Sequence, residues 1–473
     1  MKKIQVIQGG MGVAVSDWKL AQAVSKEGQL GVISGTGIHL IMIARLMEGD
    51  IGGHVRRALA HFPFQDPAAW VLKQYYRENP EKGATYKRPP MWTFSPAQKL
   101  NELTVIANFV ETFLAKEGHD NPVGINLLEK VQMPTMASLY GAMLAGIDYV
   151  IMGAGIPTQI PGILDKLAKH EKVSYRMDVK GAEREDTFLM DFDPKETFSN
   201  AVSKVKDVMR PNFLPIISSV VLAKTLIKRS SGKVNGFVVE GHNAGGHNAP
   251  PRGKMQLDES GEPIFGPKDS PILAKIKELG LPFWLAGGYD TPEKLKEAQE
   301  AGAEGVQIGT AFAFCDESGM ETSEKRRVIE KVFDESAVVF TNPRVSPTGY
   351  PFKVVQVEGT MSDPEVYNAR PRLCDIGLLR EAYKKEDGSL GYRCAAEPVE
   401  QYVKKGGTVE DTEERGCLCN NLCASAGYPQ HRKSGYVEQP LVSSGKTLPS
   451  LLKFFKPGER SYSAKDVLDF LLN

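Results

Sequence analysis

The sequence predicts an α/β chain built on a (β/α)₈ TIM barrel, with a helical insertion and a C-terminal lobe. Three observations carry this reading. Eight short apolar runs recur in the first 313 residues, most of them ending in glycine or a small polar residue. Segments of amphipathic-helix length separate most of them. The 473 residues are enough for one barrel of roughly 250 residues with additions. Continuous apolar runs alternating with amphipathic helices mean a parallel sheet covered on both faces. Eight of them favour a closed barrel over a doubly wound sheet.

In chain order the predicted strands are Ile4–Gly10, Leu30–Gly37, Pro122–Leu128, Tyr149–Gly155, Leu214–Ser219, Gly236–Gly241, Pro282–Gly288 and Gly305–Ala311. Helices are predicted over Asp17–Glu27, Met133–Ala145, Thr158–Lys169, Val220–Ser230 and Thr291–Ala301. Three stretches break the rhythm: 48–121, rich in Pro, Tyr and Trp; 172–193, two alternating runs that read as a hairpin; and 243–268, rich in Gly, Pro and Asn. Long insertions of this kind usually carry binding residues. The barrel is therefore expected over 1–341 with these three insertions, and 342–473 is expected as a Cys-bearing lobe or cap.

Lys+Arg and Asp+Glu both number 58, which argues against nucleic acid or an anionic membrane as partner. The opening MKKIQVIQGG runs straight into a strand and has no export-signal pattern. No uncharged stretch reads as a membrane-spanning helix, since Gly28–Ala44 contains Gly, Ser, Thr and His. No cysteine precedes Cys315, so the six do not form a disulfide framework, and a cytoplasmic location is expected.

Chemistry concentrates at the predicted C-terminal strand ends. The seventh and eighth strands end in Gly287-Gly288 and Gln307-Ile308-Gly309-Thr310, the two places where barrels often bind phosphate. Glycine belongs there because phosphate oxygens approach backbone N–H groups that a Cβ would shield. The sixth strand leads into Glu240-Gly241-His242-Asn243-Ala244-Gly245-Gly246-His247. His247 is the candidate proton-handling residue, and His242 reads as a solvated loop residue. The two histidines have no third ligand at motif spacing, so no metal is expected there. Gln8-Gly9-Gly10-Met11-Gly12 and Gly124-Ile125-Asn126 end the first strand and lie on the third. There is no GxGxxG, no Walker lysine and no acidic residue at dinucleotide spacing.

This ordered set, with Ala244–His247, Gly287–Gly288, Gln307–Thr310 and Gly153–Gly155, resembles the nitronate monooxygenase (2-nitropropane dioxygenase) family. It is similar also to the related FMN-dependent enoyl-ACP reductases, to which Ser218–Lys224 and Gly153-Ala154-Gly155 look closer. The resemblance implies an FMN-holding barrel with His247 catalytic beside the isoalloxazine. It implies cofactor contacts from Gly9, Gly10, Met11, Asn126, Ser218, Glu240, Gly245, Gly246, Gly287, Gly288, Gln307, Gly309 and Thr310. Glu240 departs from the family, which often carries Gln there. The implied activity is oxidation of alkyl nitronates with O₂. The alternatives are reduction of a conjugated enoyl thioester or of a quinone with NAD(P)H, and an FMN-carrying scaffold that docks a partner protein. An acyl-carrier partner would meet Arg252, Lys254 and Lys268, and a homo-oligomer is compatible with all of these readings.

Other barrel chemistries fit less well. No predicted strand ends in a Schiff-base lysine, and no cysteine follows the sixth strand as inosine-monophosphate dehydrogenases need. In the tail, Cys417-x-Cys419-x-x-x-Cys423, with Cys374 and Cys394 upstream, offers ligands for zinc or an iron–sulfur cluster. The spacing matches no zinc-finger or ferredoxin pattern, so buried reduced thiols and no metal are expected.

Overall fold

The computed structural model describes residues 3–473 apart from Lys82. Eight parallel strands form one sheet: β1 (Val6–Gln8), β2 (Gly31–Ser34), β3 (Val123–Leu128), β4 (Tyr149–Gly153), β5 (Asn212–Ile217), β6 (Phe237–Glu240), β7 (Phe283–Ala286) and β8 (Gly305–Ile308). Their spatial order is β1-β8-β7-β6-β5-β4-β3-β2. A parallel bridge from Ile7 to Leu30 joins β1 to the start of β2 and closes the barrel. All eight lie at the apolar runs that the sequence marks.

Strand alternation divides the core. Ile7, Val32, Ile151, Leu214, Val238 and Trp284 form a buried cluster of their own inside the barrel. Their neighbours Val6, Ile33, Val150, Phe213, Phe237 and Leu285 pack outward into the helical layer. Helix starts follow local capping chemistry. Asp17, Ser219 and Thr291 accept backbone N–H bonds at the heads of Trp18–Lys26, Val220–Arg229 and Pro292–Glu300.

Two features differ from the expected division of the chain. The 19-residue helix Gln98–Lys116 lies within the expected insertion 48–121, yet it packs against Trp18–Lys26, Thr135–Leu144 and strands β2 and β3. It is an outer-ring helix of the barrel. It escaped periodicity because even Glu102, Asn108 and Glu111 are buried. Glu111 is held by the Trp18 N–H and by Arg45.

The tail is likewise continuous with the barrel. Helix Thr310–Ala313 after β8 has only four residues. The C-terminal helix Ala464–Leu472 packs between Trp18–Lys26 and Pro292–Glu300, and so fills the place left in the ring. An antiparallel pair, β9 (Val339–Asn342) with β10 (Phe352–Val355), leads into the tail. A second pair follows, β11 (Glu381–Lys384) with β12 (Leu390–Arg393). Residues 172–193 form an antiparallel pair, Val173–Arg176 with Leu189–Phe192, and Val179–Lys180 adds in parallel to β11. Among the described residues no helix is long and apolar enough to cross a membrane.

Candidate functional site

The C-terminal strand ends open into one cavity of about 280 Å³. Its wall includes Gly9, Gly10, Met11, Asn126, Glu240, Gly245, Gly246, His247, Gly287, Gly288, Gln307, Gly309 and Thr310. Of the cofactor contacts that the resemblance implies, only Ser218 is not on this wall. It follows β5, and its carbonyl accepts from the Arg252 guanidinium at 3.0 Å.

Each part of the wall has a local cause. After β1, the Ser16 hydroxyl accepts from the Met11 N–H at 2.8 Å and donates to the Gly9 carbonyl, which fixes the turn. The Asn126 amide donates to the Gly10 carbonyl at 2.9 Å, and a Cβ on Gly10 would come within 2.3 Å of the Asn126 Cβ. After β7, Gly287 and Gly288 both have φ of +96°, a conformation that side-chain-bearing residues rarely adopt. The Gln307 Oε1 is buried and makes no hydrogen bond. Thr310 Oγ1 accepts from the Gly445 N–H at 2.9 Å, which leaves its own proton free to donate.

The tail supplies much of the remaining wall. The loop after β6 is clamped by it: Lys353 N–H donates to the Gly246 carbonyl at 3.1 Å, and Gly246 N–H to the Ser443 hydroxyl at 3.2 Å. A Cβ on Gly245 would meet the Ser444–Gly445 backbone at 2.9 Å. Sequence reasoning missed Ser346, Phe352, Lys353 and Ser443–Gly445, because a long-range contact leaves no local spacing. Two signals were present: a lone Lys inside the apolar run Phe352-Lys353-Val354-Val355, and the small-residue run Ser443-Ser444-Gly445.

Electrostatics distinguish one wall. His247 hydrogen-bonds through Nε2 to the Ser346 hydroxyl at 2.7 Å, and its ring meets Phe352 edge-on at 4.8 Å. Burial lowers its pKa to about 4, so the ring is neutral at pH 7. Burial raises Glu240 to about 7, opposed by the Lys353 charge and a hydrogen bond from Asn248. Lys353 is itself lowered to about 8 by burial, opposed by Glu240. Its ammonium donates to the His242 carbonyl and the Asn248 side-chain oxygen. His242 is a half-exposed loop residue whose ring stacks on Phe265 at 4.7 Å.

The six cysteines are free thiols. Among the described residues no three His, Cys, Asp or Glu side chains are arranged to hold a metal ion.

Part of the chain is similar to known proteins. Residues 120–354 match the nitronate monooxygenase family. A probable nitronate monooxygenase of Staphylococcus saprophyticus is 26% identical over 196 residues, covering 41% of this chain and 52% of the relative. One from Bacillus subtilis is 29% identical over 148 residues, covering 30% of this chain and 38% of the relative. The chain thus spans about half or less of the curated relatives it matches. Among solved structures, FabK from Thermotoga maritima aligns with 99% of this chain and 92% of its own, at 16% identity and a TM-score of 0.45. The matched segment runs from the approach to β3 into β10 and carries Asn126, Glu240, His247 and both glycine turns. Through these residues, just under half of the chain is similar to the nitronate monooxygenase family.

Proposed function

We propose that the cavity holds FMN and that the chain is an FMN-dependent oxidoreductase which oxidises alkyl nitronates with O₂. One observation carries this reading: a single cavity joins the glycine turns after β7 and β8 to the His247–Glu240 wall. The fit of FMN is supported by the left-handed Gly287–Gly288 turn, by the free Thr310 proton and by the partnerless Gln307 oxygen. Backbone amides and the Thr310 hydroxyl would take the phosphate, and the Gln307 carbonyl would accept from a cofactor hydroxyl or N–H group. The chemistry that FMN supplies is electron transfer between the substrate carbon and O₂.

The chain's own work is binding, orientation and proton handling. A nitronate is already an anion, so no base is needed to form it. The neutral His247 ring, braced by Ser346 and by the Ser346–Thr348 hydroxyl pair at 2.7 Å, orients the nitronate oxygens. Lys353 supplies the positive charge behind that wall, and Leu378, Leu418 and Leu441 shield the cavity from bulk water. A polar contact in such a low-dielectric site is stronger than in water.

The test is to record the visible spectrum of the purified protein and chromatograph the heat-released cofactor. The protein is then mixed anaerobically with 2-propylnitronate or with NADPH. FMN, bleached by nitronate and restored by O₂, is the expected result. FAD, or a colourless protein that FMN does not reconstitute, overturns the cofactor. Bleaching by NADPH alone, with turnover of an enoyl thioester, assigns the runner-up activity instead.

A further inference from the structure

A second, small cavity in the tail is lined by four cysteines, Cys374, Cys394, Cys417 and Cys419. They come from three places: the loop before β11, the residue that follows β12, and the start of helix Leu418–Ser425. The main cavity lies next door, since Leu379, Leu418 and Cys419 line both. Nothing in the proposed nitronate chemistry uses these thiols, and they do not have a metal-site arrangement.

We propose that Cys374 and Cys394 form an oxidant-responsive dithiol site, with Cys374 as the attacking thiolate and Cys394 as the resolving thiol that closes a disulfide. Both thiols line this one cavity, and each is the largest influence on the other's ionisation. Cys374, like Cys419, is half-buried, whereas Cys394 and Cys417 are buried. The Cys394 thiol and the Arg380 guanidinium hold the Cys374 thiol below the usual range against the effect of burial. Cys394 and Cys419 are pushed well above that range, Cys417 is raised, and Cys423 is raised to about 11. Of the thiols lining this cavity Cys374 alone is shifted toward its thiolate, and Cys394 on the same cavity wall is placed to resolve it.

The oxidant is a hydroperoxide. The Cys374 thiolate attacks the terminal peroxide oxygen, the O–O bond breaks, and the departing alkoxide takes a proton and leaves as the alcohol. Cys374 is left as a sulfenic acid. The Cys394 sulfur then attacks the Cys374 sulfur, the S–O bond breaks, and the leaving hydroxide takes the Cys394 proton to form water. In sum, two thiols and one hydroperoxide give one disulfide, one alcohol and one water. The new bond would tie the loop carrying Leu378 and Leu379, part of the main cavity wall, to the end of β12.

The test uses the full chain, reduced, desalted and treated with one to two equivalents of tert-butyl hydroperoxide. Thiol counting and peptide mapping follow. The expected result is loss of two of the six thiols and a dithiothreitol-reversible link between the Cys374 and Cys394 peptides. In the untreated protein, Cys374 should alkylate at least about tenfold faster than the other cysteines at pH 7. Cys394→Ser should give no link and a dimedone-trapped sulfenic acid at Cys374. Six intact thiols after excess peroxide, a link between other cysteines, or stoichiometric zinc or iron on the purified protein would each overturn the proposal. The wild-type mapping stands whether or not the variant folds.

Discussion

His247 and Glu240 face the same cavity from opposite ends of one short loop, and burial moves both toward their neutral forms. For His247 this changes the role that its sequence position suggested. A ring with a pKa of about 4 does not exchange protons at pH 7 as an unperturbed histidine would, so its contribution is a hydrogen bond to an anion. Such charge-assisted bonds contribute about 1.5–3 kcal/mol. His247→Ala should therefore retain FMN and lower kcat/KM for a nitronate about 10- to 100-fold. The pH profile of kcat/KM reports groups of the free enzyme, and it should show no step in the wild type near pH 6.5 that the variant loses. A step there would mean that the ring titrates normally. Glu240 gives a prediction of opposite character. Below its pKa of about 7 the Glu240–Lys353 pair carries a net positive charge. Between about 7 and 8 the pair is neutral, and above the Lys353 value of about 8 it is negative. Affinity for an anionic substrate should thus fall as pH rises through 7, seen as a rising KM for preformed nitronate. Glu240→Gln removes the first of these steps, so its KM should stay flat from pH 6 to 7.5. A KM that rises equally in both proteins would exclude Glu240 as the titrating group.

At the scale of elements, the turn after β7 is where local sequence and local geometry agree most closely. A glycine pair was expected there for phosphate access, and both residues have φ of +96°. The reason is narrower than the sequence suggested. A Cβ on Gly288 would meet nothing closer than 3.9 Å, so conformation, not crowding, requires glycine at that position. Gly288→Ala should fold and retain FMN with a modest loss of stability, since a left-handed residue with a side chain costs about 1–2 kcal/mol. Gly288→Asp adds a carboxylate beside the proposed phosphate and should lose FMN on gel filtration, read as the ratio of flavin to protein absorbance. Flavin retention equal to wild type in the Asp variant would place the phosphate elsewhere. The strands were legible because each is a short apolar run, most of them closed by glycine or a small polar residue. Helix Gln98–Lys116 was not, because its buried Glu102 and Glu111 depend on Lys99, Arg45 and the Trp18 N–H, and periodicity cannot report such partners.

The tail shares the largest hydrophobic core with the barrel, through residues such as Val442, Leu448, Leu451 and Phe454. Phe352 and Gly445 reach the cavity from beyond β8, Ser346 braces His247 from the same side, and Arg370, Glu438 and Arg432 connect through Asp375 to Arg88 in the early insertion. The last turns of the chain matter most for stability. Helix Ala464–Leu472 opens with a capping box between Ser463 and Asp466 and buries Val467, Leu468 and Leu471. Full burial of such side chains stabilises by about 1.5–3 kcal/mol each, so the three together approach the low end of the 5–15 kcal/mol that typically holds a domain folded. Deleting residues 462–473 also removes Tyr462, whose hydroxyl donates to the Ala311 carbonyl at 2.7 Å next to Thr310. The truncated chain should therefore lose its cooperative urea transition or shift it to far lower urea, and should lose FMN together with stability. Residues 1–341 alone should not give a soluble flavin-binding barrel, because the ring would lack its C-terminal helix and the cavity would lack Phe352 and the Ser443–Gly445 loop. If residues 1–341 instead folded with a sharp transition and held FMN at full occupancy, the tail would be a separable lobe, as its break in sequence rhythm first suggests. The same measurement on the full chain should show one transition by tryptophan fluorescence and by flavin absorbance, because Trp284 inside the barrel and the Ser443–Gly445 loop over the cavity belong to one cooperative unit.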